Sequence, residues 1–204
     1  MAEAAKKKRG WRARDIAIAF VLVVMMGGLI AARMLYTPYR IPSRSMVPTL
    51  MEGEYVAAQN TRQQMRVGDV VFHMQADEPG HTFVRRVLAL PGQHIAFRDG
   101  VPIVDGVAAQ QAGTGETGPD GERIVRETLG GHSYRVAYQS EGSPVLRDMS
   151  ERVVPPGRVF LAGDARDNSL DSRINGPQPI SNVKQSGGWI IFSPVNGRAG
   201  HRIE

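Results

Sequence analysis

The chain has 204 residues, enough for one domain of ordinary size plus an appendage, and its 42% hydrophobic content is sufficient for a packed core, which excludes disorder of the whole. The formal charge of +5 is a property of one end: Lys6, Lys7, Lys8, Arg9, Arg12 and Arg14 face only Glu3 in the first 14 residues, and the rest of the chain balances to zero, so no nucleic-acid partner is expected. The absence of cysteine removes disulfides, thiol nucleophiles and cysteine-ligated metals.

Residues 1–14 form a basic tail. Residues 16–32, IAIAFVLVVMMGGLIAA, then run without a charge, at the short end of what crosses a hydrocarbon core of about 30 Å. Asp15 and Arg33 at the two interfaces, with Tyr36 and Tyr39 as an aromatic belt, extend this to one spanning helix over 15–36. The basic tail puts the N-terminus in the cytoplasm and everything after Arg33 outside. A cleaved signal peptide is the rival, given Ala31 and Ala32, but the run exceeds a usual h-region and an uncleaved anchor is the preferred reading.

A few residues on stands Pro42-Ser43-Arg44-Ser45-Met46-Val47-Pro48-Thr49-Leu50. Each proline fixes its own φ and extends the residue before it, so the backbone is stiff where a reactive hydroxyl would need placing. The bland alternative is a Ser/Pro linker.

Short apolar runs broken by Gly, Pro and Asp follow, the pattern of β-structure. Strands are expected over 67–74 and 82–90, joined as a hairpin by QADEPGH at 75–81. Pro91-Gly92 and Asp99-Gly100 turn the chain into 94–97 and 101–104. Residues 106–155 read as a β-rich insertion. Within it, GTGETG at 113–118 spells GxGxxG, but Pro119-Asp120-Gly121 follows where a helix is required, so it is a loop and not a dinucleotide site. Further strands are expected over 133–138, 158–162 and 189–192. The five histidines, His73, His81, His94, His132 and His201, show no ligand spacing, and neither a metal nor a cofactor is expected. His73 and His81 flank the hairpin turn, and each reads as exposed and uninvolved.

A second polar cluster, GDARDNSLDSR at 163–173, follows the apolar run at 158–162. Three Asp, two Arg, two Ser and an Asn suit a polar network at a strand end.

Together these segments resemble the type I signal peptidases, membrane-anchored serine endopeptidases that remove signal peptides from exported proteins. PSRSMVPTL is similar to the family's PSxSMxPTL box, VGDVVF to GDxVxF, FVRRVLALPG to FIKRVxGxPGD and GDARDNSLDSR to GDNRxNSxDSR. The resemblance implies Ser45 as nucleophile, with the Ser43 hydroxyl and the Ser45 amide as oxyanion hole. It implies Ser169 as orienter of the general base, Asp171 and Arg173 as a supporting ion pair, and Tyr39, Ile41 and Val84 as walls of the substrate pockets. The departure is Arg85, which occupies the position of the family's catalytic lysine. Lysine becomes a base when burial lowers its pKa from about 10.4 toward about 8, whereas a neutral guanidinium at pH 7 would cost on the order of 7 kcal/mol. Arg85 can therefore stabilise an oxyanion but is a poor proton acceptor. Lys184, the one lysine outside the tail, lies where the family has no catalytic role. Ala89, Gln93 and Ala165 also depart from the family pattern.

The expected protein is mainly β, a signal-peptidase-like catalytic domain with a β-rich insertion and one N-terminal transmembrane helix. Its catalytic core is divided into 37–105 and 156–204 around the insertion at 106–155. The implied activity is cleavage of exported precursors after Ala-x-Ala, by an enzyme of the bacterial inner membrane with a periplasmic catalytic domain. The implied partners are signal peptides, the bilayer and the secretion translocon. Two alternatives stand beside it: a catalytically impaired relative that binds signal peptides or export machinery, and a peptidase dedicated to a conjugation or pilus protein.

Overall fold

The computed structural model describes residues 12–60, 65–75 and 80–203. The basic tail up to residue 11 and the centre of the hairpin turn, 76–79, lie outside them. Two compact units meet between Leu35 and Tyr36. The first contains α1 (Ala13–Leu35), with no residue buried and a mean hydropathy of 2.4 over its most apolar window. At 1.5 Å per residue its 23 residues extend about 35 Å, long enough to cross a bilayer.

The second unit is built of antiparallel strands. β1 (Tyr36–Arg40) pairs with β2 (Tyr55–Gln59), and the Ser/Pro segment is the loop between them. Tyr36 and Tyr39 both belong to β1, where the Tyr39 ring stacks on Phe72 at 5.0 Å and its hydroxyl donates to Gln185 at 2.9 Å. β3 (Val70–Met74) and β4 (Thr82–Ala89) form the expected hairpin, with Val71 opposite Arg85 and His73 opposite Phe83. β3 begins at Val70 rather than at 67 because Gly68, at φ 99°, turns the chain and the Asp69 carboxylate accepts from the Arg66 amide.

β5 (His94–Arg98), β6 (Val101–Val104) and β7 (Val107–Ala108) make a meander whose tight turns place Asp99 and Asp105 at φ 46° and 50°. β8 (Gln110–Thr117), β9 (Arg123–Leu129) and β10 (His132–Tyr138) make a second. The GxGxxG segment is thus not a loop: it is mostly strand β8, irregular after Gly113, where Gly115 takes φ 74°. β11 (Met149–Val153) returns to β5 and β12 (Arg158–Ala162) to β4. β13 (Gln178–Pro179) extends β12, β14 (Val183–Ser186) adds to β3, β15 (Gly188–Phe192) joins β2, and β16 (Arg202–Ile203) closes that sheet. The larger core cluster packs Leu88, Phe97, Phe160 and Val154 against Val125, Val136 and Tyr138, so the meander from β8 to β10 shares a core with β4, β5 and β12.

Gly188 fixes the join of β15 to β2. It sits at φ 133°, and a Cβ there would stand 2.1 Å from the Ala57 carbonyl oxygen. Gly188→Ala is expected to destabilise the protein by about 3 kcal/mol through clash and backbone strain, read as a lowered midpoint in thermal or urea unfolding.

Candidate active site

Alternation along β4 sends Arg85 and Arg86 to opposite faces. Arg86 is buried: its Nε donates to Asp164 Oδ1 at 2.8 Å, its Nη2 to Oδ2 at 2.7 Å, and its Nη1 to the Gly68 carbonyl at 2.6 Å. Thr49, at the end of the Ser/Pro loop, donates to Asp164 Oδ2 at 2.5 Å. This knot joins β4, the 163–173 segment and the Ser/Pro loop.

Arg85, 6% exposed, takes the other face and reaches Ser45. Its Nη1 donates to Ser45 Oγ at 2.9 Å and to the Val84 carbonyl at 2.7 Å, and its Nη2 donates to the Leu170 carbonyl at 3.0 Å. Burial lowers its pKa from the ordinary arginine value, an effect the nearby Asp171 carboxylate opposes. A guanidinium that starts above about 12 remains charged. Ser43 Oγ lies 3.2 Å from Ser45 Oγ. Among the described residues no histidine nitrogen hydrogen-bonds Ser45.

Ser45 is held from its backbone as well, its carbonyl accepting from the Ala165 amide at 3.1 Å. Gly163 makes this approach feasible: a Cβ there would stand 2.3 Å from Ser169 Oγ and 2.5 Å from the Ser45 carbonyl. Ser169 is buried beside the site, but its hydroxyl has no hydrogen-bond partner; the Arg85 guanidinium meets the neighbouring Leu170 carbonyl instead.

Beneath this lies the Asp171–Arg173 pair, doubly bonded at 2.9 and 2.7 Å, with both side chains buried. Asp171 also accepts from the Gly163 amide at 2.9 Å, and Arg173 donates to the Leu146 and Arg166 carbonyls. Burial pushes the Asp171 carboxyl up, but the Arg173 charge and the donors around it hold it below the ordinary carboxylate value.

Tyr39, Ile41 and Val84 come together in one apolar cluster with Met46, Leu50 and Phe72. Val84 alternates with Arg85, so this cluster lines the opposite face of β4 from the guanidinium. His73 departs from expectation. It is 3% exposed and is a diagonal neighbour of Arg85 across the β3–β4 pairing, whereas His81 is exposed. Burial first and the Arg85 charge second lower its pKa to about 4, so it is neutral at pH 7. Sequence reading missed Arg86 and Asp164 as the knot of the site and Gly163 as the point of close approach, although all three stand inside the motifs.

A family model described as "Signal peptidase, peptidase S26" matches residues 13–191. Over 176 residues the chain is 29% identical to a probable signal peptidase I-1 of Synechocystis, covering 81% of this chain and 76% of that one. It is 28% identical over 182 residues to a signal peptidase I of Bacillus licheniformis, covering 87% of each. A crystal structure of a signal peptidase I from Enterococcus faecalis aligns with 61% of this chain and 97% of that one, at 19% identity and a TM-score of 0.40.

Asp171 gives the site an acid limit. A carboxyl whose folded pKa is depressed contributes stability above its unfolded pKa of about 3.9 and loses it as pH falls through the lower folded value. The melting temperature of the native protein is therefore expected to fall below about pH 4. Asp171→Asn, which leaves Arg173 buried and uncompensated, is expected to cost about 3–5 kcal/mol at pH 7 and to weaken that acid dependence, both read by melting across pH.

Proposed function

Because the chain belongs to the peptidase S26 family of signal peptidases, serine endopeptidases that remove signal peptides, we propose that Ser45 is its nucleophile and that Arg85 acts on it by charge rather than as a base. The observation that carries this is the 2.9 Å hydrogen bond from Arg85 Nη1 to Ser45 Oγ.

The Ser45 hydroxyl gives its proton to solvent, and the alkoxide attacks the scissile carbonyl. The Ser43 hydroxyl and the Ser45 amide stabilise the resulting oxyanion. The C–N bond breaks as solvent protonates the leaving nitrogen, and water then hydrolyses the Ser45 ester, releasing the carboxylate and restoring the serine hydroxyl. A guanidinium at hydrogen-bond distance in a partly screened site stabilises the alkoxide by about 4 kcal/mol, or on the order of three pKa units. It supplies no acceptor, so the reaction is slow near neutrality. Asp171 and Arg173 act as support. Ser169, which would orient a lysine base, has no corresponding role with Arg85 in place.

The family resemblance assigns Tyr39, Ile41 and Val84 to the substrate pockets, and their packing in one apolar cluster with Met46, the residue after Ser45, suits the small residues of an Ala-x-Ala site. α1 anchors the enzyme in the inner membrane with the β unit in the periplasm, where shared tethering raises the effective concentration of precursor near the translocon. The exposed Tyr55, Trp189, Ile191 and Phe192 on β2 and β15 suit contact with the bilayer.

The test is cleavage of an Ala-x-Ala precursor by the full chain in detergent, beside Ser45→Ala and Arg85→Lys. Slow cleavage is expected from the native protein, none from Ser45→Ala, and at least tenfold more from Arg85→Lys near pH 8–9, where a buried lysine becomes a base. No native cleavage with full activity in Arg85→Lys would instead make the protein a binding relative with an intact scaffold. Cleavage that survives Ser45→Ala would refute the nucleophile.

A further inference from the structure

Arg44 stands between Ser43 and Ser45, and its side chain points away from them into the hairpin that joins β8 to β9. There its Nη1 forms an ion pair with Asp120, and its Nη2 donates to Glu122 Oε1 at 3.1 Å. Asp120 is exposed at the tip of the turn, but Glu122 is not a free surface group. Glu122 is 6% exposed, and its second oxygen accepts from the Asp120 amide at 2.8 Å, so one side chain closes the turn and grips Arg44 together. The Gly118 amide donates to the Glu122 carbonyl at 2.8 Å, and Gly118 is also the residue that makes room: a Cβ there would stand 2.5 Å from Glu122 Oε2.

Two further ties run between the same partners. Val47, two residues beyond Ser45, is buried against Ile124 of β9, Ala137 of β10 and Ala165. Ala137 donates its amide to the Asp164 carbonyl at 2.9 Å and accepts from the Arg166 amide at 2.9 Å, which holds Ala165 where its amide meets the Ser45 carbonyl. The loop carrying Ser45 is therefore gripped on either side of the hydroxyl, by charge at Arg44 and by packing at Val47. Both grips draw on the 106–155 segment, with Ala165 completing the second.

We propose that Asp120 and Glu122 are positioning residues for Ser45: through Arg44 the insertion fixes the loop that carries the nucleophile, so that Ser45 Oγ stays within reach of Arg85 and the scissile carbonyl. The brace rests on Ser45 being the nucleophile, but it is measurable without turnover. The loop has its own reporters, since the Val47 amide donates to the Arg44 carbonyl at 3.1 Å and the Leu50 amide to the Met46 carbonyl at 2.8 Å.

The experiment is hydrogen–deuterium exchange of the full chain in detergent, comparing the native protein with Asp120→Asn/Glu122→Gln and, from the loop side, Arg44→Met and Arg44→Lys. Exchange within 43–50 and at Ala165 is expected to quicken at least tenfold in the double variant and in Arg44→Met, with the β3–β4 hairpin unchanged, and Arg44→Lys is expected to restore most of the protection. In cleavage assays the first two variants should lower kcat about tenfold with KM held, the signature of a misplaced reacting group. Unchanged exchange in 43–50, or a loss confined to KM, overturns the proposal. Exchange that quickens throughout the β unit in Arg44→Met as well as in the double variant overturns it too, because the contacts would then be general scaffolding. Should the native protein cleave nothing, the functional reading fails while the exchange result still decides the brace.

Discussion

Three pieces of chain far apart in sequence must meet within a few ångströms for this site to exist, and the Arg86–Asp164 pair is what brings them together. Arg86 belongs to β4, Asp164 to the segment after β12, and Thr49 to the loop after β1; the Asp164 carboxylate takes hydrogen bonds from both of the others. Both charged groups are buried, so the knot is stable only while both partners remain: removing one leaves an uncompensated charge, a cost of about 3–5 kcal/mol. The guanidinium also lies 4.0 Å from the Tyr134 ring centroid, which ties the insertion to the same point. Arg85 inherits its position from this arrangement. With Arg86 fixed on one face of β4, the alternation of the strand leaves Arg85 the face on which Ser45 lies.

Replacing an ammonium by a guanidinium changes what the neighbours can do. A planar fork satisfies several acceptors in fixed directions. In this site it spans Ser45 Oγ, the Val84 carbonyl and the Leu170 carbonyl, and leaves the buried Ser169 hydroxyl unpartnered. The parts that stabilise charge are retained: the Ser43 hydroxyl, the Ser45 loop and the Asp171–Arg173 support. The part that accepts a proton is altered. On the proposed reading the site therefore keeps its electrostatics, and among the described residues no side-chain base hydrogen-bonds Ser45, His73 included, neutral though it is.

Much of this was legible in the sequence because it is local. The β3–β4 hairpin, the strands over 101–104 and 158–162 and the long apolar helix are written in runs of side chains that need no distant partner. The family motifs named the residues that the fold brings together at Ser45. The misreadings have a common cause, since each depended on pairing. His73 read as a turn-flanking surface residue, and only the register that sets it opposite Phe83 buries it beside Arg85. GTGETG read as a loop because Pro119-Asp120-Gly121 follows it, yet β9 supplies the ladder that holds most of it as strand. The stacking partner of Tyr39, Phe72, stands thirty-three positions on and could not be named from the local sequence. The grip of Asp120 and Glu122 on Arg44 spans more than seventy residues, and no local pattern announces it.

The most direct measurement is the pH dependence of kcat/KM for precursor cleavage by the native chain, from about pH 6 to about pH 10, beside Arg85→Lys. If Arg85 contributes charge alone and the proton leaves to solvent, the native rate should climb about tenfold per pH unit without levelling, whereas Arg85→Lys should level near the pKa of a buried lysine. A native profile that levels between about pH 6 and pH 9 would show that a titrating side chain takes the Ser45 proton, and would contradict a purely electrostatic role for Arg85.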